Sequence, residues 1–346
     1  MATIKDVARE AGVSISTVSH AMSGKRPISE PTRRRVLEAV ERLGYRPSWT
    51  ARSLASGSTR VIGLVVADIS NPFYPTAARG IEDVAIERDY SLVICSTDGD
   101  ERRERGYIDV LEARQVDGII YMAGLAANRR LAELVHSGHI PVVTADEQLK
   151  GLDLPGVFLR NDRAGAMVAD HLISLGHRRL GFIGGPRHLP TVGERLAGFV
   201  AGAAERGVRV REDRVTYADN RAEGGQLAAA VLTALDEPPT AVFVANDVMA
   251  LGVLEHCRSA GLAVPGDLSV VGVDDLPVAR LVGLTTIHQP TYEMGATAAR
   301  ILFEILGSGG RPAIVRMQPE LVVRSTTGAP VERVSDLEAR ARLVAG

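Results

Sequence analysis

The sequence predicts a small all-α head containing a helix-turn-helix, followed by a two-lobed α/β body built on doubly wound parallel sheets. Three observations predict it. Apolar residues recur at helical spacing, broken by glycines, through the first 44 positions. From Val61 onward, continuous Val/Ile/Leu runs alternate with helical stretches, as parallel strands covered on both faces require. Charge divides at the same place: residues 1–60 carry net +6 and the remaining 286 carry net −8. A basic head on an acidic body is the electrostatic pattern of a nucleic-acid module fused to something else. At 346 residues and 45% hydrophobic, the chain suffices for two or three domains. The boundaries fall at 1–46 for the head, 47–60 for a hinge and linker, 61–328 for the body and 329–346 for a tail.

In the head, Thr3 can cap a first helix, with Asp6 on its positive end. Ile4, Val7, Ala8 and Ala11 make one apolar face, and Gly12 stops the helix. Ser14 caps a second helix to about Ser23. Val18 and Met22 face inward, leaving Ile15, Ser16, Ser19 and His20 outward. Helix, glycine turn, helix is the arrangement that reads DNA. Small hydroxyl side chains let a helix lie close to the major-groove floor, where His20 can donate or accept. The competing reading is a plain helical hairpin within a larger helical domain.

A third helix runs from Ser29 to Leu43, with Val36, Leu37, Val40 and Leu43 as its inner face and Gly44 as its stop. Arg33, Arg34 and Arg35 read as a solvated face or as phosphate contacts. Pro47 then breaks the chain, Ser48 can cap a short helix through Ala55, and SGST is linker composition. Such a helix is too short to persist alone in water. Leu54, a large apolar group on this basic element, suits a minor-groove wedge or a packing contact.

In the body, strands are expected at Val61–Val66, Leu92–Cys95, Gly118–Met122, Val142–Thr144, Gly181–Gly184, Val242–Ala245 and Leu268–Val273. Helices are expected near 74–89, 101–114, 163–175, 194–206, 223–235, 247–259 and 291–306. These are too many strands for one small sheet, and the stretch from HSGHIPVVTAD through GLDLPGVFL suits a passage between lobes. Ligands in such sheets bind at the carboxyl ends of strands. Polar and aromatic residues cluster there: Asn71, Phe73, Tyr74, Asp146, Thr191, Arg195, Asn246, Asp247, Asp274, Asp275 and Gln289. Carboxylates, an arginine fork, amides and rings form a bed for a polyhydroxylated ring. Taken singly, Asp247 or Asp274 could cap helices, Arg195 could pair with a carboxylate, and Tyr74 could be packing.

The motifs ATIKDVA, TVSH and TARSL in the first 54 residues, with RLAGF, ANDVMALG, SVVGVDD and TTIHQP in the body, resemble the lactose/galactose repressor (LacI/GalR) family. The head resembles its purine-sensing members especially, and the likeness runs to about residue 328. The resemblance implies a periplasmic-binding-protein-like body. It also implies a homodimer on a near-palindromic double-stranded operator, with recognition helices in successive major grooves and hinge helices in the minor groove between them. Ile15 and Ser16 would face base edges, with His20 beside them. Thr17, Ser19, Tyr45 and Arg52 would hold phosphates, Arg26 would flank the helix, and Leu54 would wedge a base step. In the cleft, Asp146, Arg195, Asn246 and Asp274 would meet hydroxyls, with Phe73, Tyr74, Thr191, Asn220, Asp247 and Gln289 around them. Four positions depart from the pattern, one being Ala55 of the hinge, which stands where the purine-sensing relative has a lysine. Ile15 stands where relatives carry Thr or Tyr, Leu189 where purine sensors carry an arginine, and Asn220 where they stack a phenylalanine. The effector implied is therefore a sugar, with a purine corepressor as the alternative.

No GxSxG, Walker A, GxGxxG or HExxH motif is present, which points away from enzymes, although paired carboxylates could in principle hydrolyse glycosides. Cys95 and Cys257 have no metal-ligand or disulfide spacing, so no metal or cofactor is expected and a reducing cytoplasm suits them. No apolar run approaches the roughly 20 residues of a membrane span. A secreted sugar-binding protein would share the body but have no use for a basic head. In the tail, Val334, Leu337, Ala341 and Val344 make two weak heptads, short of a coiled coil, so a dimer rather than a tetramer is expected.

Overall fold

In the computed structural model, the described residues are 2–23, 26–45, 58–124, 129–149, 151–308 and 313–331. The short helix expected at 48–55, with Arg52 and Leu54, and the heptads at 334–344 lie outside them. The chain divides into two compact units at Arg60 and Val61.

The first unit holds three helices, α1 (Ile4–Ala11), α2 (Ile15–Ser23) and α3 (Glu30–Arg42). Thr3 and Asp6 form a reciprocal capping box: the Asp6 N–H donates to Thr3 Oγ1, and Asp6 Oδ2 accepts from the Thr3 N–H at 2.9 Å. Gly12 closes α1 at φ 64°, a conformation that strains any residue with a Cβ. Ser14 Oγ accepts from the Thr17 N–H at 3.1 Å and caps α2. Val7, Ala8, Ala11, Val18, Ala21, Val36, Ala39 and Tyr45 form the buried core. Leu37 is a correction. The sequence pattern places it inward, but it is 47% exposed and Ala39 is buried in its stead. The inward set Val36, Ala39, Val40 and Leu43 keeps the 3-4 spacing that a helix stripe demands, and Leu37 falls off it.

The second unit contains two six-stranded sheets. The first, in order β11-β5-β4-β3-β1-β2, is wholly parallel: β1 (Val61–Val66), β2 (Ser91–Ser96), β3 (Gly118–Met122), β4 (Val142–Ala145), β5 (Gly156–Leu159) and β11 (Ile314–Met317). The second runs β12-β10-β9-β8-β6-β7: β6 (Leu180–Gly184), β7 (Val215–Tyr217), β8 (Ala241–Val244), β9 (Ser269–Asp274), β10 (Thr285–His288) and β12 (Glu320–Val322). In it only β12 is antiparallel. The helices are α4 (Phe73–Ile86), α5 (Glu101–Ala113), α6 (Arg129–Ser137), α7 (Asn161–Ser174), α8 (Pro190–Glu205), α9 (Ala222–Thr233), α10 (Asp247–Ala260), α11 (Pro277–Leu281) and α12 (Thr291–Ser308).

All seven expected strands form. Those not foreseen are β5, β7, β10, β11 and β12. β7, β10, β11 and β12 have only three or four residues, and β7, β11 and β12 are also partly exposed edge strands, which weakens the periodicity signal. The fifth, β5, corrects the reading of GLDLPGVFL as a passage between lobes: GVFL pairs with β4 and β11 inside the first sheet. The crossings lie at Arg160, at Gln289–Pro290 and at Gln318–Pro319, where α7 joins the second lobe, α12 returns to the first, and β11 leads into β12.

The α7–α8 pair sets the geometry of the cleft. A Cβ on Gly165 would sit 2.1 Å from the Arg195 carbonyl, so glycine there permits backbone contact between the two helices. That contact fixes where α8, and Arg195 on it, face the first lobe.

Candidate functional site: a reading helix and an interlobe cleft

On α2, Val18 and Ala21 are buried and Met22 is partly buried, while Ile15 is 44% exposed. Ser16 is exposed, and Thr17, Ser19 and His20 are half-exposed. Ser14 Oγ lies 2.7 Å from Ser16 Oγ and 2.8 Å from Thr17 Oγ1, so the hydroxyls at the helix start form one cluster. Arg26 and Arg33–Arg35 are exposed. Tyr45 belongs to the head core and is 9% exposed.

Between the two lobes lies a narrow cleft with a cavity volume of about 50 Å³. Its walls come from the carboxyl ends of strands: Asn71, Phe73 and Tyr74 after β1, Asp146 and Glu147 after β4, Leu189, Thr191, Val192 and Arg195 after β6. Asn220 follows β7, Ala245 and Asn246 follow β8, Asp274 ends β9, and Gln289 follows β10. Phe73 and Tyr74 pack edge to face at 5.2 Å. The structure thus brings together nine of the ten residues expected at the effector site.

Asp247 is the exception. It is fully buried behind the cleft, where Oδ1 accepts from the Thr286 hydroxyl at 2.6 Å and Oδ2 from the Leu276 N–H at 2.9 Å. The cap of α10 is Asn246, which accepts from the Met249 N–H at 2.7 Å. The side chain of Asp247, at the first helical position, therefore points into the second sheet and ties β9–α11 to β10.

Arg195, 6% exposed, is held by two bonds: Nε donates to Asn161 Oδ1 at 2.8 Å and Nη1 to the Ala245 carbonyl at 2.6 Å. Asn161, at the start of α7, positions the guanidinium. Nothing in the sequence marked it, because its partner is 34 residues away. Asp274 Oδ1 accepts from Gln289 Nε2 at 2.6 Å. Asn246 Nδ2 donates to Asn220 Oδ1 at 3.1 Å. Asp146 Oδ1 and Gln289 Oε1 are buried with no hydrogen-bond partner among the described residues. Buried acceptors of this kind cost stability unless something fills them. Backbone strain gathers here as well: Asp146, Asn220 and Asp274 sit at φ 67°, 70° and 124°.

Glu147 is the principal residue missed. It is buried and accepts from the Thr191 N–H at 3.2 Å and the Thr191 hydroxyl at 2.5 Å, a contact from lobe to lobe. Thr191 lines the cleft with both donors already engaged. Burial raises all the carboxyls here. Asp146 is pushed up to about 6, with Arg195 opposing and Glu194 adding. Glu147 is pushed up to about 8, with the Asp146 charge adding. Asp274 is pushed well above the usual carboxylate range, with Asp247 adding. Among the described residues, no cluster of His, Cys, Asp and Glu could hold a metal ion, and no helix is long and apolar enough to cross a membrane.

A helix-turn-helix head joined in one chain to a two-lobed α/β cleft defines a DNA-binding regulator carrying a small-ligand module. Comparison with known proteins gives the family. Residues 3–48 match the model for bacterial regulatory proteins of the lacI family, and residues 169–327 match a periplasmic binding protein-like domain. The chain is 37% identical over 329 residues to the HTH-type transcriptional repressor PurR of Vibrio campbellii (strain ATCC BAA-1116), covering 94% of this chain and 98% of the relative. Among solved structures it resembles the lac repressor dimer bound to operator and the anti-inducer ONPF. That match has TM-score 0.85 and 26% identity, over 95% of this chain and 99% of the other. It also resembles a transcriptional regulator CelR–cellobiose complex, with TM-score 0.70 and 29% identity, over 94% of this chain and 100% of the other. The chain belongs to the LacI family and is a DNA-binding transcriptional repressor.

Proposed function

We propose that this repressor binds a near-palindromic operator as a homodimer in the cytoplasm and is controlled by a sugar held in the interlobe cleft. The observation that carries the effector reading is the pair of buried, unpartnered acceptors, Asp146 Oδ1 and Gln289 Oε1, in a cleft already furnished with Asp274, Arg195 and Asn246. A polyol supplies hydroxyl donors to those acceptors and takes bonds from Arg195, while Phe73 and Tyr74 can cover its C–H faces. The cellobiose named in the complex with CelR is in keeping with that chemistry. In the head, Ile15 and Ser16 meet base edges. Thr17, Ser19, Tyr45 and Arg52 meet phosphates, His20 and Arg26 flank them, and Leu54 wedges the central step. Effector binding then shifts the population between cleft arrangements, and operator affinity follows.

The likeness to PurR favours a second reading, a purine corepressor. Leu189 and Asn220 in the cleft wall weigh against it: an aliphatic side chain and a small amide offer a purine neither a charged fork nor a stacking face. Calorimetry of the full chain with hypoxanthine and with a panel of neutral mono- and disaccharides separates the two. Saturable binding of a sugar that also changes operator affinity, measured by fluorescence anisotropy, is the expected outcome. Binding of hypoxanthine alone, strengthening the operator complex, overturns the sugar reading.

A further inference from the structure

Helix α8 begins in the cleft wall without a cap of its own. Leu189 occupies the capping position and its side chain cannot accept, while Pro190 at the first helical position has no N–H. The first donor at this positive helix end is therefore the Thr191 N–H, with the Thr191 hydroxyl beside it. Left open, such an end receives anions. Here it is filled from the opposite lobe, because Glu147 accepts from both Thr191 donors. The carboxylate arm is held by close packing. A Cβ on Gly124 would lie 2.9 Å from Glu147 Cγ and 3.0 Å from Leu189 Cδ2, and Gly124 at φ 65° supplies none. The cleft's guanidinium does not reopen the site to anions. Arg195 has donors committed to Asn161 and Ala245, and it faces the carboxyl groups of Asp146 and Asp274. The acceptors left open in the same cleft include Gln289, 2% exposed with Oε1 unpartnered, and they call for donors on the ligand.

We infer that Glu147 sets the charge class of the effector. By placing the chain's own carboxyl group on the α8 N-terminus, it commits the cleft to neutral or amino-bearing hydroxylated ligands and rejects phosphorylated or carboxylate-bearing ones. This deepens the sugar reading and rests on it for the ligand's identity, but not for the exclusion of anions. A phosphate brought to Thr191 must displace the Glu147 carboxyl from both Thr191 donors, so the discrimination is an already occupied seat built into the wall.

The test uses the full chain and inorganic phosphate as the anionic probe, against chloride at matched ionic strength, followed by thermal shift and calorimetry. Wild type is expected to show no saturable phosphate binding. Glu147→Ala is expected to gain it, by about tenfold or more over wild type. Glu147→Gln, which keeps one acceptor for Thr191 and preserves packing, should gain less. Adding Thr191→Val to Glu147→Ala removes the hydroxyl and leaves the N–H, and should cut the gain several-fold, which a general loosening of the fold would not do. Wild-type binding of phosphate as tight as that of Glu147→Ala overturns the inference, as does a gain that Thr191→Val leaves undiminished. The neutral sugar panel and the corresponding sugar phosphates separate this from the sugar reading. A neutral sugar and its phosphate binding wild type equally sinks the role of Glu147 and leaves the sugar. Hypoxanthine alone binding wild type sinks the sugar, while the phosphate comparison still decides Glu147.

Discussion

The head and the cleft mark their working residues in opposite ways. On α2 the residues assigned to DNA are those the core leaves out: Ile15 and Ser16 stand in solvent while Val18 and Ala21 carry the fold. In the cleft the assigned residues are buried, bonded to one another, and in two cases left with an unfilled acceptor. The size of the partner explains the difference. Duplex DNA comes to a surface and reads what protrudes, whereas a small ligand must be enveloped to gain enough contact. Removing a surface reader should therefore cost specificity and little stability, and removing a cleft residue should cost both.

The largest expected effect breaks the head alone. Val18→Asp places a charge in a core of eight buried residues and should cost at least ~3 kcal/mol, enough to unfold so small a unit. Specific operator binding should vanish in an anisotropy titration while the thermal transition of the body stays in place. Next, Arg195→Ala strips Asn161 and the Ala245 carbonyl of a partner and leaves Asp146 and Asp274 without a counter-charge. Effector affinity should fall at least ~100-fold, about 3 kcal/mol, and the body should melt earlier. Intact effector affinity in that variant would contradict the contrast just drawn.

A third measurement titrates the cleft. Asp146, Asp247 and Glu147 are raised by burial to about 6, 7 and 8. Between the ordinary carboxylate range and these values, the folded body binds more protons than the unfolded chain. Unfolding free energy should therefore fall as pH rises from about 5 to about 8, the reverse of the trend for salt-bridged carboxylates. Urea melts at the two ends of that window check it, and Asp247→Asn should flatten the slope. The smallest effect is Ile15→Thr. Head stability should shift by less than ~0.5 kcal/mol, because the side chain is already exposed. Operator preference should change at one base pair per half-site by about 1–3 kcal/mol, read by competition with single-substitution operators.

Local chemistry carried most of the fold. The capping box at Thr3–Asp6, the glycine at position 12, and the long apolar runs of β1, β3, β6, β8 and β9 are each decided by neighbours within a few residues. The edge strands β7, β11 and β12 were not legible, since a short, half-exposed segment becomes a strand only when another strand offers its open edge. Leu37 went wrong for a related reason: an apolar residue one step off the helical stripe looks identical in the sequence and faces water in the fold.

For the cleft, residue type and position after a strand were enough to assemble nine of ten expected wall residues. They could not separate Asp247 from Asp274, two carboxylates at neighbouring strand ends, one tying the second sheet together and the other opening into the cleft. Nor could they find Asn161, or the contact of Glu147 with Thr191 across 44 residues of chain. Periodicity, capping and charge distribution act through neighbouring residues and are written along the chain. Which polar group meets which across two lobes depends on how the sheets and helices pack, and one helical step decides whether a side chain enters the cleft or the core.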